Sequence, residues 1–194
     1  MASGGALIAL SDWNATHTAV ATLSIPINVS HPHVSLSNLV GNSFWTVRGS
    51  SEGFSTWDSG HWEFVRDVDS KIYGSILIPN NITTLPNVAV SMILAVNSAT
   101  TLPSNSVMSV ATAVISAAGS ITPAFTAETS QMISFTSARY RYNATFPSTG
   151  NLAKPVSAND LLLVEISHTG TSTSDNADSN TIMYSSYLRC DVNT

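Results

Sequence analysis

Apolar and polar residues alternate with a period of two along much of this chain, and turn residues interrupt the alternation at short intervals, which predicts strands separated by tight connections. The clearest early case is residues 18–27, where Ala19, Ala21, Leu23, Ile25 and Ile27 alternate with Val20, Thr22, Ser24 and Pro26. Such a segment shows one apolar face, and Pro26, which has no N–H to give to a ladder, marks its end or an edge. Val34, Leu36 and Leu39 form a second short run, followed by residues 44–47, and residues 49–60 are a loop dense in Gly and Ser. Extended structure resumes over residues 62–65 and 72–78, the latter stopped by Pro79, Asn80 and Asn81.

Residues 88–96 and 107–116 are the two most apolar runs, and residues 97–105 between them, with Pro103, predict a long central hairpin. Residues 139–146 place Tyr140, Tyr142, Ala144 and Phe146 on one face and Arg139, Arg141, Asn143 and Thr145 on the other. Residues 161–166 form a near-continuous apolar strand, residues 168–180 a polar loop, and residues 181–188 a last strand. No segment carries a sustained helical period with caps. The expectation is an all-β fold of eight or more antiparallel strands with little helix, a β-sandwich or jelly roll. It is organised as an N-terminal arm, residues 1–15, and one domain over residues 16–194.

Composition changes this picture at the surface. Charged residues make up only 10% of the 194, against about 25% in an average soluble protein, while Ser and Thr supply about a quarter. Hydroxyl and amide groups therefore cover the outside. Seven Lys plus Arg against twelve Asp plus Glu give a net charge of −5, with no basic cluster to neutralise a run of phosphates, so nucleic acid is not an expected partner. Cys190 is the only cysteine, which rules out an intrachain disulfide and suits a small core residue. Residues 1–10 lack the basic start of a secretory signal, and no apolar run approaches the roughly 20 residues of a membrane helix, so the expected site of synthesis and folding is a cytoplasm, with no membrane partner. Sequons begin at Asn14, Asn28, Asn81 and Asn143, no more than the abundance of Ser and Thr brings by chance.

Several local patterns imitate catalytic or metal chemistry. Gly49-Ser50-Ser51-Glu52-Gly53 matches a nucleophile elbow, but four aromatics and a Gly follow where the elbow needs a helix. Glu63, Asp67 and Asp69 with His61 offer the carboxylates of a glycosidase or lyase, yet strand neighbours alternate faces, and Arg66, Asp67, Asp69 and Lys71 suit a solvated turn with local ion pairs. His31 and His33 flank Pro32 as two possible metal ligands, and two are too few. His17, His61 and His168 lie scattered. Asp175, Asn176, Asp178 and Asn180 imitate a calcium loop but lack its Gly and terminal Glu, and are expected to be a solvated turn. No catalytic residue, cofactor or metal is therefore expected.

Aromatic residues crowd at Trp45, Phe54, Trp57, Trp62 and Phe64, with Trp13 apart. Trp45 and Trp62, on strands, are assigned to the core; Phe54 and Trp57, in the Gly/Ser loop, with Trp13 in the arm, are the candidate partner contacts.

Three stretches taken together are similar to jelly-roll proteins of tailed bacteriophages. They are Trp62-Glu63-Phe64 leading into Gly74-Ser75-Ile76-Leu77-Ile78-Pro79-Asn80; the apolar pair of runs within residues 88–116; and Asp160-Leu161-Leu162-Leu163-Val164-Glu165-Ile166, then Ser174-Asp175-Asn176, then residues 184–188. The resemblance covers roughly residues 60–190, and His168-Thr169-Gly170 stands where an Arg-Asp pair would be expected. It implies a structural virion protein of the capsid cement or decoration type, often homotrimeric, assembled in the host cytoplasm and binding the major capsid protein so that many weak contacts stabilise the shell. The alternative is a carbohydrate-binding or receptor-binding adhesin module of a phage tail or fibre, using aromatic stacking on sugars. A sandwich-fold polysaccharide hydrolase or lyase is the third.

Overall fold

The computed structural model describes residues 20–30, 43–46, 61–80, 87–96, 101–119 and 124–193. These carry eleven strands and no helix: β1 Val20–Pro26, β2 Asn28–Ser30, β3 Ser43–Thr46, β4 His61–Phe64, β5 Asp69–Leu77, β6 Ala89–Val96, β7 Ser104–Ile115, β8 Thr126–Phe135, β9 Tyr142–Phe146, β10 Leu161–Thr169 and β11 Thr181–Asn193. All pairings are antiparallel.

From β4 onward the pairing is nested. β7 pairs β8, β6 pairs β9, β5 pairs β10 and β4 pairs β11, and successive nested pairs fall alternately in two sheets. One sheet runs β3-β4-β11-β6-β9, with β1 also on β11; the other runs β2-β5-β10-β7-β8. Four nested pairs wound alternately into two sheets are a jelly roll, which confirms the expected class.

The alternation predicted from sequence explains the two layers. In β10 every second residue is buried, and Leu162, Val164 and Ile166 join the core while Leu161, Leu163 and Glu165 face outward. In β5, Ile72 and Ile76 point inward and Lys71, Tyr73, Ser75 and Leu77 outward. Phe64, Met92, Leu94, Phe135, Phe146 and Met183 fill the space between the sheets. Trp62 is buried there as expected, and the buried Cys190 is a core residue. Burial of a side chain of this size stabilises by about 1.5–3 kcal/mol.

Three sequence expectations are corrected and one strand is added. The runs 88–96 and 107–116 are not a hairpin: they are β6 and β7, in different sheets. Turn chemistry says that the chain reverses, but not that the next strand stays in the same sheet, and here β11 and β10 are the better partners. β8 went unpredicted because Thr126–Phe135 has little apolar content, being an edge strand covered on one side only. Arg139 and Tyr140 precede β9; Arg139 has a positive φ of 64° and Tyr140 is 68% exposed, so Tyr140 does not share the face of Ala144 and Phe146. β10 extends through Thr169, which takes His168 out of the loop and into the interior.

Candidate functional site

Among the described residues the imitations of chemistry are absorbed by the fold. His61 and Glu63, two apart on β4, share a face and are both fully buried, with Nε2 3.2 Å from Oε1; Asn180 Nδ2 donates to Glu63 Oε2 at 2.9 Å. Asp67 and Asp69 lie at the other end of the turn, Asp67 3.2 Å from Arg66 and Asp69 accepting from Thr171 N and Oγ1. The exposed ion pair of Arg66 with Asp67 fits the solvated turn expected there. No group of three or more His, Cys, Asp or Glu fit to hold a metal occurs among the described residues. Ser51 and its elbow, His31, His33, Trp13, Phe54 and Trp57 lie outside the described residues, as does the side chain of Trp45.

The loop after β10 is not the solvated turn predicted. β7 pairs with β10 only from Met108 onward, so Ser104–Val107 has no strand on that side, and the loop takes the place of one. Asn105 N donates to Asn176 Oδ1 at 2.6 Å and Val107 N to Asp175 Oδ2 at 2.8 Å. Asn105 O accepts from Asn176 N at 3.0 Å and Ala177 N at 2.9 Å. Asp178 Oδ2 accepts from Thr101 N at 3.0 Å, and Asn180 Oδ1 from Arg66 N at 3.2 Å. The oxygen atoms that imitate a calcium loop are thus acceptors for orphan backbone N–H groups.

The outer face of the five-stranded sheet carries the arrangement best suited to a ligand. Register places Tyr73, Glu165 and Ala111 in one row across β5, β10 and β7, with Lys71, Ser167 and Ser109 in the next outward-facing row on one side. On the other side come Ser75, Leu163 and Ala113, then Leu77, Leu161 and Ile115. The face therefore grades from polar to apolar along the strands. Phe125, just before β8, reaches over it, its ring centroid 6.0 Å from that of Tyr73 and inclined at 65°. Phe125 is 40% and Leu77 64% exposed.

Polar groups on this face are held in place. Lys71 Nζ donates to Glu165 Oε1 at 2.8 Å, Ser167 Oγ at 3.3 Å, and the Tyr73 hydroxyl is hydrogen-bonded to the same carboxylate. Burial pushes the Tyr73 phenol up to about 12, helped by the hydrogen bond and negative charge of Glu165. Burial also acts to raise the Glu165 carboxyl, but the hydrogen bonds from Lys71 and Tyr73 and the Lys71 charge outweigh it and lower the value. The outcome is an ionised carboxylate beside an un-ionised phenol across a wide pH range. Tyr73 and Phe125 were not among the sequence candidates. The usable signal was an aromatic on the otherwise polar face of an alternating strand, Lys71-Ile72-Tyr73-Gly74-Ser75.

No protein-family model matches the chain, and no curated protein matches it. Among solved structures it is similar to a family 61 carbohydrate-binding module in complex with β-1,4-galactotriose, at 13% identity and a TM-score of 0.39, covering 84% of this chain and 87% of that one. It is also similar to the C-terminal family 22 carbohydrate-binding module of Clostridium thermocellum Xyn10B, at 8% identity and a TM-score of 0.42, covering 86% and 94%. A third is the first family 22 xylan-binding domain of Paenibacillus barcinonensis Xyn10C, at 10% identity and a TM-score of 0.39, covering 90% and 97%.

Proposed function

We propose that this protein is a non-catalytic binding module and that its ligand is a glycan, seated on the outer face of the five-stranded sheet. The observation that carries this reading is the Tyr73–Phe125 ring pair beside the Lys71–Glu165–Ser167 cluster. A sugar has apolar C–H faces and a rim of hydroxyls. Partly exposed aromatic rings meet the first, and a fixed carboxylate, ammonium and hydroxyl meet the second without being reorganised on binding. The sheet behind them is rigid, so the geometry is set before the ligand arrives.

The competing reading, a capsid cement protein acting as a homotrimer on the major capsid protein, rests on the resemblance of residues 60–190. A glycan array followed by calorimetry, with xylo- and galacto-oligosaccharides among the ligands, separates the two. A glycan signal that Tyr73→Ala and Phe125→Ala each weaken by about tenfold or more supports the carbohydrate reading. An array that is silent, together with binding of the isolated protein to empty capsids, overturns it in favour of the capsid reading.

A further inference from the structure

Beside the Tyr73–Phe125 ring pair, register lines up a band of small side chains that crosses the strands. One outward-facing row runs Lys71, Ser167, Ser109 and Ser130 over β5, β10, β7 and β8, and the next runs Tyr73, Glu165, Ala111 and Ala127. Over β7 and β8 both rows hold only Ser and Ala. A bulge is what puts Ala127 there. Strict alternation back from Met132 and Ser130 would turn Glu128 outward, but β8 slips register between its pairings with Val110 and Ala111. Glu128 is thereby re-aimed: it accepts from Thr112 Oγ1, on a fully buried side chain, and from Ala153 N at 2.7 Å. The slip takes a carboxylate out of the band and leaves a methyl group in its place.

Larger side chains flank the band on both sides. On one side stand the two rings, 6.0 Å apart; β10 and β7 lie between their strands in the sheet, so the pair forms a wall that crosses the strand direction. On the other side, in the row beyond Ser109 and Ser130, Met132 is opposite Val107 and 57% exposed. The floor between them starts at the fixed Lys71–Glu165–Tyr73 cluster and ends at Ser130 and Ala127, both exposed on the edge strand β8.

We infer that the glycan is bound as an extended chain of about three or four sugar units lying in this band and running across the strands, from the Lys71–Glu165–Tyr73 cluster to β8. The inference rests on the glycan reading above and adds the length and direction of the ligand. Neighbouring strands are about 4.8 Å apart, so four strands span about 14 Å, and one strand spacing is close to the length of one pyranose unit in an extended chain. Units nearest Tyr73 and Phe125 lay their C–H faces on the rings, and the following units set their hydroxyls over Ser109 and Ser130. Small side chains let the sugar rings come down to the sheet, which a longer residue at either position would prevent.

The test is a length series of β-1,4-linked xylo- and galacto-oligosaccharides, one to six units, titrated into the full chain by calorimetry. Affinity is expected to rise about fivefold per unit from two to four, the worth of one ordinary hydrogen bond each, and to level off beyond four. Ser130→Phe, which fills the β8 end, should weaken the tetrasaccharide about fivefold, and Ser109→Phe, one strand further in, about 25-fold; both should leave the disaccharide unchanged. A misfolded variant would lose the disaccharide as well, and equal loss at two and four units counts against the inference. Affinity independent of length, or longer chains indifferent to both Phe variants, overturns the crossing direction; if Tyr73→Ala still weakens binding, the glycan reading stands without it. Binding of no length in either series overturns both.

Discussion

His168 Nε2 lies 2.9 Å from Asp175 Oδ2, and both side chains are buried, at 0% and 2% exposure. The same carboxylate oxygen accepts from Val107 N at 2.8 Å, so one atom ties the end of β10 to the start of β7. Asp175→Ala leaves a buried imidazole and a backbone N–H without acceptors, and is expected to cost about 2–5 kcal/mol in urea unfolding. Asp175→Asn keeps one oxygen acceptor and should cost less. Equal losses for the two variants would show that the hydrogen bonds do not hold the loop.

Gly170 sits where the chain leaves β10 and passes the β4–β5 turn. A Cβ there would lie 2.5 Å from Val68 N and 2.8 Å from Val68 O, both backbone atoms that cannot swing aside. Gly170→Ala should destabilise by about 1–3 kcal/mol or more through overpacking. Gly150, with φ of 84° and nothing within 4 Å of the place a Cβ would take, is the comparison: Gly150→Ala should cost only the left-handed backbone strain, about 1–2 kcal/mol. Thermal melts that rank the two in the opposite order would refute the clash.

The Tyr142 hydroxyl accepts from Thr136 N at 2.7 Å and Ser137 N at 2.9 Å, and its ring meets Phe135 edge-on at 4.9 Å. It thereby closes the connection between β8 and β9, the edge strands of the two sheets. Tyr142→Phe keeps the ring contact and removes the acceptor, and should lower stability by about 1–2 kcal/mol with faster amide exchange at Thr136 and Ser137. Unchanged exchange at those two amides would argue against the closure.

Tyr73 and Glu165 give a pH dependence of definite sign. A phenol raised from 10.0 to about 12 contributes stability that is complete below pH 10 and lost as pH climbs through 12. A carboxyl lowered from 4.5 contributes stability that is present above that value and lost as pH falls through its folded value. Ultraviolet titration should show one of the five tyrosines ionising late, and Tyr73→Phe should remove that step. Tyr142 should ionise early: burial opposes this, but hydrogen bonds from Thr136 and Ser137 prevail. Stability measured by urea denaturation between pH 7 and pH 3 should fall less steeply for Glu165→Gln than for the parent chain.

The sequence by itself determined the class of fold and most of its strands. A period of two reports which side of a strand is apolar, and it survives in β5 and β10 whatever they pair with. It also determined the core role of Trp62, an aromatic on a strand, and of Cys190, a small uncharged side chain. Pairing was decided only by the tertiary structure. β4 and β11 lie more than a hundred residues apart in the chain, so no local pattern encodes their match. Polar function was decided there too. Asp175 and Asn176 look solvated in sequence because nothing local shows that Asn105 and Val107 lack a strand partner. Phe125 and Tyr73, 52 positions apart by number, become one aromatic surface only because the fold brings the residue that precedes β8 against β5, although β10 and β7 lie between those two strands in the sheet.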